Sequence, residues 1–451
     1  MRSWSDRVPA LERALHSPTG AMTSVDLAVR MLEALRPLID PKKHMSSPAL
    51  STETSLRPSE PEDGPAVRWL AQLLEQAVQW EASDIHIEPR ERDARVRLRI
   101  DGCLQEVAPL PAGLRDRVAS RIKVLSRLDI AERRLPQDGR VKLQVDTHAL
   151  DCRVSTLPTL CGEKLVLRLQ QTRTVHRDLA TLGLEPDQLE SVLEKVRAPQ
   201  GLVLVTGPTG SGKTVSLYAC LQAMDHSHLN ISTVEDPIEI ELPGINQVQV
   251  HEKAGLTFST VLRAFLRQDP DVLMVGEIRD LETADMAVKA AQTGHLVLST
   301  LHTNDAPSTL GRLMHMGVPS HLLAGSVKLV MAQRLVRRLC DACKIPIHHD
   351  EALLKNAGMD EPSILQQGLA WQAYAAQGCA ACHQGYKGRV GVFQVMPITA
   401  SLQHMMCAPP GSVDLAAQAA KEGVDTLRSQ GLRRMQSGQC SLEEIVCATP
   451  A

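Results

Sequence analysis

Residues 22–36, MTSVDLAVRMLEALR, place apolar side chains at helical spacing, with Thr23 or Ser24 available to cap the start. Over 41–64 the chain is rich in Pro, Ser, Thr and Glu and has no periodicity, so it reads as a flexible linker after a short helical segment at 1–40. AVRWLAQLLEQAVQW then predicts an amphipathic helix. In ARVRLRIDGCLQEV, Arg95, Arg97 and Arg99 alternate with Val96, Leu98 and Ile100, which is the period of a half-buried strand. Asp101-Gly102 supplies a hairpin turn. Further alternation in GRVKLQVD and KLVLRL completes a small mixed α/β domain over 65–172. From Gly201 the pattern changes to wholly apolar strands alternating with helices, the signature of a mainly parallel sheet covered on both faces. This predicts a second α/β unit over 173–310, followed by a C-terminal unit over 311–451 whose last 50 residues read as helical.

Composition narrows the function classes. The 451 residues are 43% hydrophobic, enough for sizeable cores, but only 2% aromatic, so the base-stacking platforms of single-strand nucleic-acid binders are scarce. A net charge of -3 provides no general basic field, and nucleic acid is not expected as a partner. No stretch approaches the roughly 18 apolar residues of a membrane span, and MRSWSDRVPALERALHS has no signal-peptide core, so a soluble, cytoplasmic protein is expected. Of the eleven cysteines most stand singly, unlike a secreted disulfide framework.

GLVLVTGPTGSGKT is a buried strand running into Gly207, Pro208, Thr209, Gly210, Ser211, Gly212, Lys213 and Thr214, followed by a helical VSLYACLQAM. Strand, GxxxxGK[ST] and helix together define a phosphate-binding loop. Its glycines let backbone N–H groups close on phosphates, Lys213 meets the β/γ charge, and Thr214 offers a hydroxyl to Mg²⁺. Hydrolysis also needs a carboxylate to order water or metal. ISTVEDPIEI puts Glu235 and Asp236 after one apolar strand, and DVLMVGEIRD puts Glu277 after another. Ligands of parallel sheets bind at these strand ends. TGHLVLSTLHTNDA adds His295, read as a core or turn residue, and His302, open between a γ-phosphate sensor and a turn residue.

Four stretches, GPTGSGKT, TVEDPIE, LRQDPDVLMVGEIRD and TGHLVLSTLHTND, together with ASDIHIEP, RLPQDGR and RVSTLP upstream, resemble the ATPases of type II secretion and type IV pilus assembly over about residues 65–400. The resemblance implies a RecA-like P-loop ATPase core preceded by a small, PAS-like mixed α/β domain. It further implies a homo-hexameric ring using ATP and Mg²⁺, with Arg140 and Arg153 of the preceding domain facing the nucleotide. Glu277 matches the family's Walker B acid and Glu235 its Asp box acid; which one is the base stays open. The expected partners are an inner-membrane platform protein and cytoplasmic membrane-associated components, placing the motor in the cytoplasm, peripheral to the inner membrane. Family members often carry a long N-terminal domain for recruitment, whereas about 40 residues precede the linker here. KAAQTGHLVLSTLHTNDAP and MGVP look closer to the pilus assembly branch.

Cys340 and Cys343 in LCDACKI, with Cys379 and Cys382 in GCAACHQGY, have the paired CxxC spacing of a closed Cys₄ zinc site. In the resembling family such an insert, here about 339–390 in a helical C-terminal domain, marks assembly-type motors. Two other functions remain open: a RecA-like DNA translocase, which DNA-stimulated hydrolysis would reveal, and an ATP-binding regulatory ring component with little turnover.

Overall fold

The structure is a computed structural model that describes residues 54–55, 64–107, 109–145, 148–171, 178–365, 367–408 and 414–449. The expected segment 1–40, with its helix at 22–36, lies outside the described residues, as does most of 41–64.

The first layer is a sheet built from β1 (Thr54–Ser55), β2 (Asp84–Pro89), β3 (Asp93–Ile100), β4 (Cys103–Glu106), β5 (Leu110–Pro111), β6 (Gln137–Val145), β7 (His148–Thr159) and β8 (Gly162–Gln171). Its order is β1-β6-β7-β8-β2-β3-β4, with β5 on β3. Strand β1, inside the stretch read as linker, pairs parallel with Leu143 and Gln144 of β6. The alternation of β3 buries Ala94, Val96, Leu98 and Ile100. They form one core with Leu70 and Leu74 of the helix Pro65–Gln79 and Val118 and Ile122 of the helix Ala112–Leu125. The opposite face carries charge, and in register across it stand Arg140, Arg153 and Arg168. The β3–β4 turn needs positive φ at both Asp101 (47°) and Gly102 (87°), which Asp-Gly tolerates.

The second sheet contains β9 (Gly201–Thr206), β10 (Ile231–Glu235), β11 (Asn246–Gln249), β12 (Val272–Val275), β13 (Leu296–Leu301), β14 (Val327–Leu339) and β17 (Tyr386–Pro397), in the order β11-β10-β12-β13-β9-β14-β17. Between the last two in sequence, β15 (Ile345–Ile347) and β16 (Ala373–Ala375) pair as a separate ribbon. All neighbours in the large sheet are parallel except β14 and β17. Every residue of β9 is buried, because Leu202 and Leu204 feed the core on one face while Val203 and Val205 feed the core on the other.

The boundary expected at 310 does not separate two bodies at the level of this sheet, since β14 and β17, from the presumed C-terminal unit, extend it beyond β9. VKLVMAQRLV hides the continuity, because the polar pair Gln333-Arg334 interrupts an otherwise apolar core strand. Four helices, Ala400–Met406, Leu415–Lys421, Leu427–Gln436 and Leu442–Ala448, form the helical end.

Candidate nucleotide and metal sites

The loop 207–212 leaves β9 and opens the helix Lys213–Gln222, so backbone donors at the helix start and a glycine-rich turn occupy one place. Gly207 (φ 148°), Gly210 (φ 80°) and Gly212 (φ 88°) all take backbone conformations that a side chain would strain. A Cβ on Gly207 would also lie 2.5 Å from the Gln333 carbonyl, so the loop is pressed against β14. Gln333 holds the loop from beneath: its Nε2 donates to the Ser211 carbonyl (2.5 Å), and its Oε1 accepts from Ser216 (2.7 Å). The buried hydroxyl of Ser211 has no protein partner, an orphan in keeping with a loop shaped for an anionic ligand.

Lys213 is 8% exposed and donates to the carbonyls of Gly207 (2.8 Å) and Pro208 (3.1 Å). Loss of solvent pushes its pKa down to about 8; Glu277 opposes that shift and the charge of Arg334 adds to it. Arg334 is itself buried, bonds the carbonyls of Asn304 (2.8 Å) and Gln333 (3.1 Å), and makes no ion pair among the described residues. Two poorly compensated cations at one loop favour an anion there.

The carboxyl ends of β9, β10, β12 and β13 bring the acids and histidine to the same edge. Glu277 lies just beyond β12 and accepts from Arg279 and from His302 (3.2 Å). Burial raises its pKa, but the Arg279 bond and charge, with the hydrogen bond from His302, outweigh burial and hold the carboxyl below its ordinary range. The other ring nitrogen of His302 lies 3.4 Å from Lys213 Nζ, so His302 joins the lysine to the acid. Asp236 pairs with the same Arg279 (3.5 Å).

Glu235 occupies a different environment. It is 3% exposed and accepts from Tyr218, Thr233 (2.6 Å) and Gln247 (3.1 Å). His295 bonds the Ala290 carbonyl (3.0 Å) at a helix end, a structural position.

Arg140 and Arg153 are cross-strand neighbours on β6 and β7. Arg140 makes a two-pronged pair with Asp151, its Nε donating at 2.7 Å, and Arg153 lies 3.6 Å from Glu239 of the loop after β10. Both arginines therefore face carboxylates in this state.

Thiols of Cys340, Cys343, Cys379 and Cys382 lie within 4.8 Å of one another, with Cys340–Cys379 at 3.9 Å, Cys343–Cys382 at 3.7 Å and Cys379–Cys382 at 3.6 Å. Four sulfurs about 2.3 Å from a tetrahedral zinc stand about 3.8 Å apart, so these distances fit a metal site and exceed any disulfide. Cys340 directly follows β14, and three residues separate Cys382 from β17, so the four thiols close the end of that strand pair.

Sequence reasoning missed Tyr218, Arg279, Gln333 and Arg334. A Gln-Arg pair inside an apolar strand was the available signal for the last two, because buried polar groups in a central strand need partners.

A phosphate loop on an interior strand of a mainly parallel sheet, facing acids at the ends of β10 and β12 nearby, defines a P-loop nucleotide-binding protein of RecA-like fold. Residues 59–447 match the family model described as type II/IV secretion system protein, and the chain belongs to that family. It is 50% identical over 388 residues to the type IV pilus assembly ATPase PilB of Pseudomonas aeruginosa, covering 86% of this chain and 68% of the relative. It is 45% identical over 391 residues to the type II secretion system protein E of the same organism (86% and 76%), and 47% identical over 386 residues to the protein transport protein HofB homolog of Escherichia coli (85% and 81%). Among solved structures, the fold resembles the Legionella pneumophila ATPase DotB (TM-score 0.63, 19% identity, 88% of this chain and 98% of that one). It also resembles the pilus retraction motor PilT with bound ADP (TM-score 0.56, 23% identity, 85% and 97%). Among the described residues no helix is long and apolar enough to cross a membrane.

Proposed function

We propose that the chain is an ATP-hydrolysing motor that powers assembly of a type IV pilus or of the related type II secretion pseudopilus. The observation that carries this reading is the join from Lys213 through His302 to Glu277 at the mouth of the phosphate loop. It links the cation that meets the β/γ-phosphates to the acid that orders water or metal. Residues 207–214 hold ATP, Thr214 offers its hydroxyl to the accompanying Mg²⁺, and Asp236 and Arg279 fix Glu277 from the side. Glu235 is the second acid of the site, held by its hydrogen-bond partners. Arg140 and Arg153 meet the nucleotide's phosphates once the N-terminal sheet closes on the core in a homo-hexameric ring. Zinc at the four thiols fastens the β14–β17 end as a structural knob. The ring works in the cytoplasm at the inner membrane, on a platform protein and its cytoplasmic membrane-associated partners.

The experiment is deletion of the gene followed by complementation with wild-type or Lys213→Ala chains, with surface fibres and secreted substrate counted. Loss of fibres or secretion on deletion, restored only by the wild type, supports the motor. Excess fibres on deletion would instead mark a retraction function.

A further inference from the structure

Tyr218 lies on the same ten-residue helix as Lys213 and is 3% exposed. Its hydroxyl donates to Glu235 and accepts from the backbone N–H of Glu239 (3.4 Å). Glu235 also accepts from Thr233 and Gln247. Gln247 in turn holds the middle of the loop after β10 by two bonds, accepting from Leu242 N–H (2.7 Å) and donating to the Ile240 carbonyl (3.0 Å). From that loop Glu239 projects to the N-terminal sheet, where it meets Arg153 (3.6 Å) and accepts from Gln170. One path of hydrogen bonds and an ion pair therefore runs from the phosphate-binding helix, through the Tyr218 hydroxyl, to Glu235 on one side and, through the Glu239 backbone and side chain, to Arg153 on the other.

A tyrosine used only for packing would leave this arrangement intact without its hydroxyl. Here the hydroxyl is the sole link between the helix and both glutamates among the bonds described above, and it belongs to a buried side chain. Burial and the Glu235 charge both raise its pKa, which keeps it a proton donor.

We propose that Tyr218 is a positioning residue that ties the phosphate-binding helix to Glu235 and, through Glu239, to Arg153. Filling of the phosphate loop is thereby felt at the contact between the core and the N-terminal sheet. The inference rests on the ATPase reading.

The test measures kcat, KM and nucleotide affinity for wild type, Tyr218→Phe, Arg153→Ala and the double variant. Loss of a buried bond to a charged group should lower kcat about tenfold in Tyr218→Phe and leave KM within about twofold. The double variant should fall within about threefold of Arg153→Ala alone, because both changes cut one path. Effects that multiply, or an unchanged kcat in Tyr218→Phe, overturn the proposal. If Tyr218→Phe does not fold, Glu239→Gln replaces it, with sub-multiplicative loss beside Arg153→Ala expected and multiplicative loss contradicting it. A wild-type chain without turnover would defeat the ATPase reading by itself. The path is then judged on nucleotide-free unfolding of Tyr218→Phe, Glu235→Gln and their double variant, where less-than-additive destabilisation supports it and additivity overturns it.

Discussion

His302 stands between Lys213 and Glu277, its Nδ1 3.4 Å from the lysine Nζ and its Nε2 3.2 Å from the glutamate carboxylate. The ring can accept from the ammonium and donate to the acid only as the neutral Nε2–H tautomer. It thereby sets where both charges point. Glu277→Gln is expected to cut turnover by about a hundredfold while nucleotide affinity changes less than about threefold, because the phosphate loop does not depend on the acid. His302→Ala should lower kcat about tenfold through loss of one bond at each end. Rate and binding constants measured side by side check both; collapse of binding with unchanged turnover per bound nucleotide would make Glu277 a structural residue.

Protonation of Lys213 gives a second prediction. Burial lowers its pKa from 10.5 to about 8, so the nucleotide-free fold binds fewer protons than the unfolded chain between those values. The burden of its buried charge is fully present below pH 8 and is relieved as pH rises toward 10.5. Phosphate restores a counter-charge, so binding at pH 8.5 should take up protons. Calorimetry in two buffers of different ionisation enthalpy checks this: Lys213→Met should abolish the uptake, and equal binding enthalpies for wild type in both buffers would contradict it.

Much of this site was legible in the chain. The strand before the loop, the glycines, Lys213 and the acids at strand ends follow from spacing, because a phosphate cradle and a parallel sheet each impose a local pattern. The alternation of Arg95, Arg97 and Arg99 with Val96, Leu98 and Ile100 gave β3 and its buried face. Long-range partnerships were not legible. Gln333 reaches Ser211, and Tyr218 reaches Glu235, only because strands and helices distant in sequence become neighbours. The pairing of β14 with β9 was hidden for the same reason, since four strands intervene in sequence.

The thiols supply a third prediction. Purified chain should contain about one zinc per molecule. Chelation or Cys→Ser change at Cys340, Cys343, Cys379 and Cys382 should expose 340–390 to proteolysis. Nucleotide binding at Lys213 should survive, because β9 and its loop are fixed by the sheet interior. Elemental analysis decides: substoichiometric zinc that is indifferent to replacement of all four cysteines contradicts the metal site.

Ring assembly is tested through Arg140 and Arg153. If they serve a site completed by domain closure within a ring, turnover should rise more steeply than linearly with protein concentration. Their alanine variants should also lose rate more than affinity, each by about tenfold or more in kcat. Concentration-independent specific activity from a monomer would contradict the ring.

The central claim is that the 207–214 loop drives hydrolysis, and steady-state ATP turnover of purified wild type against Lys213→Ala tests it most directly. The account predicts Mg²⁺-dependent release of phosphate by the wild type and a loss of at least about a hundredfold in Lys213→Ala, through removal of the charge that meets the β/γ-phosphates. Turnover in Lys213→Ala within a few-fold of the wild type would contradict it.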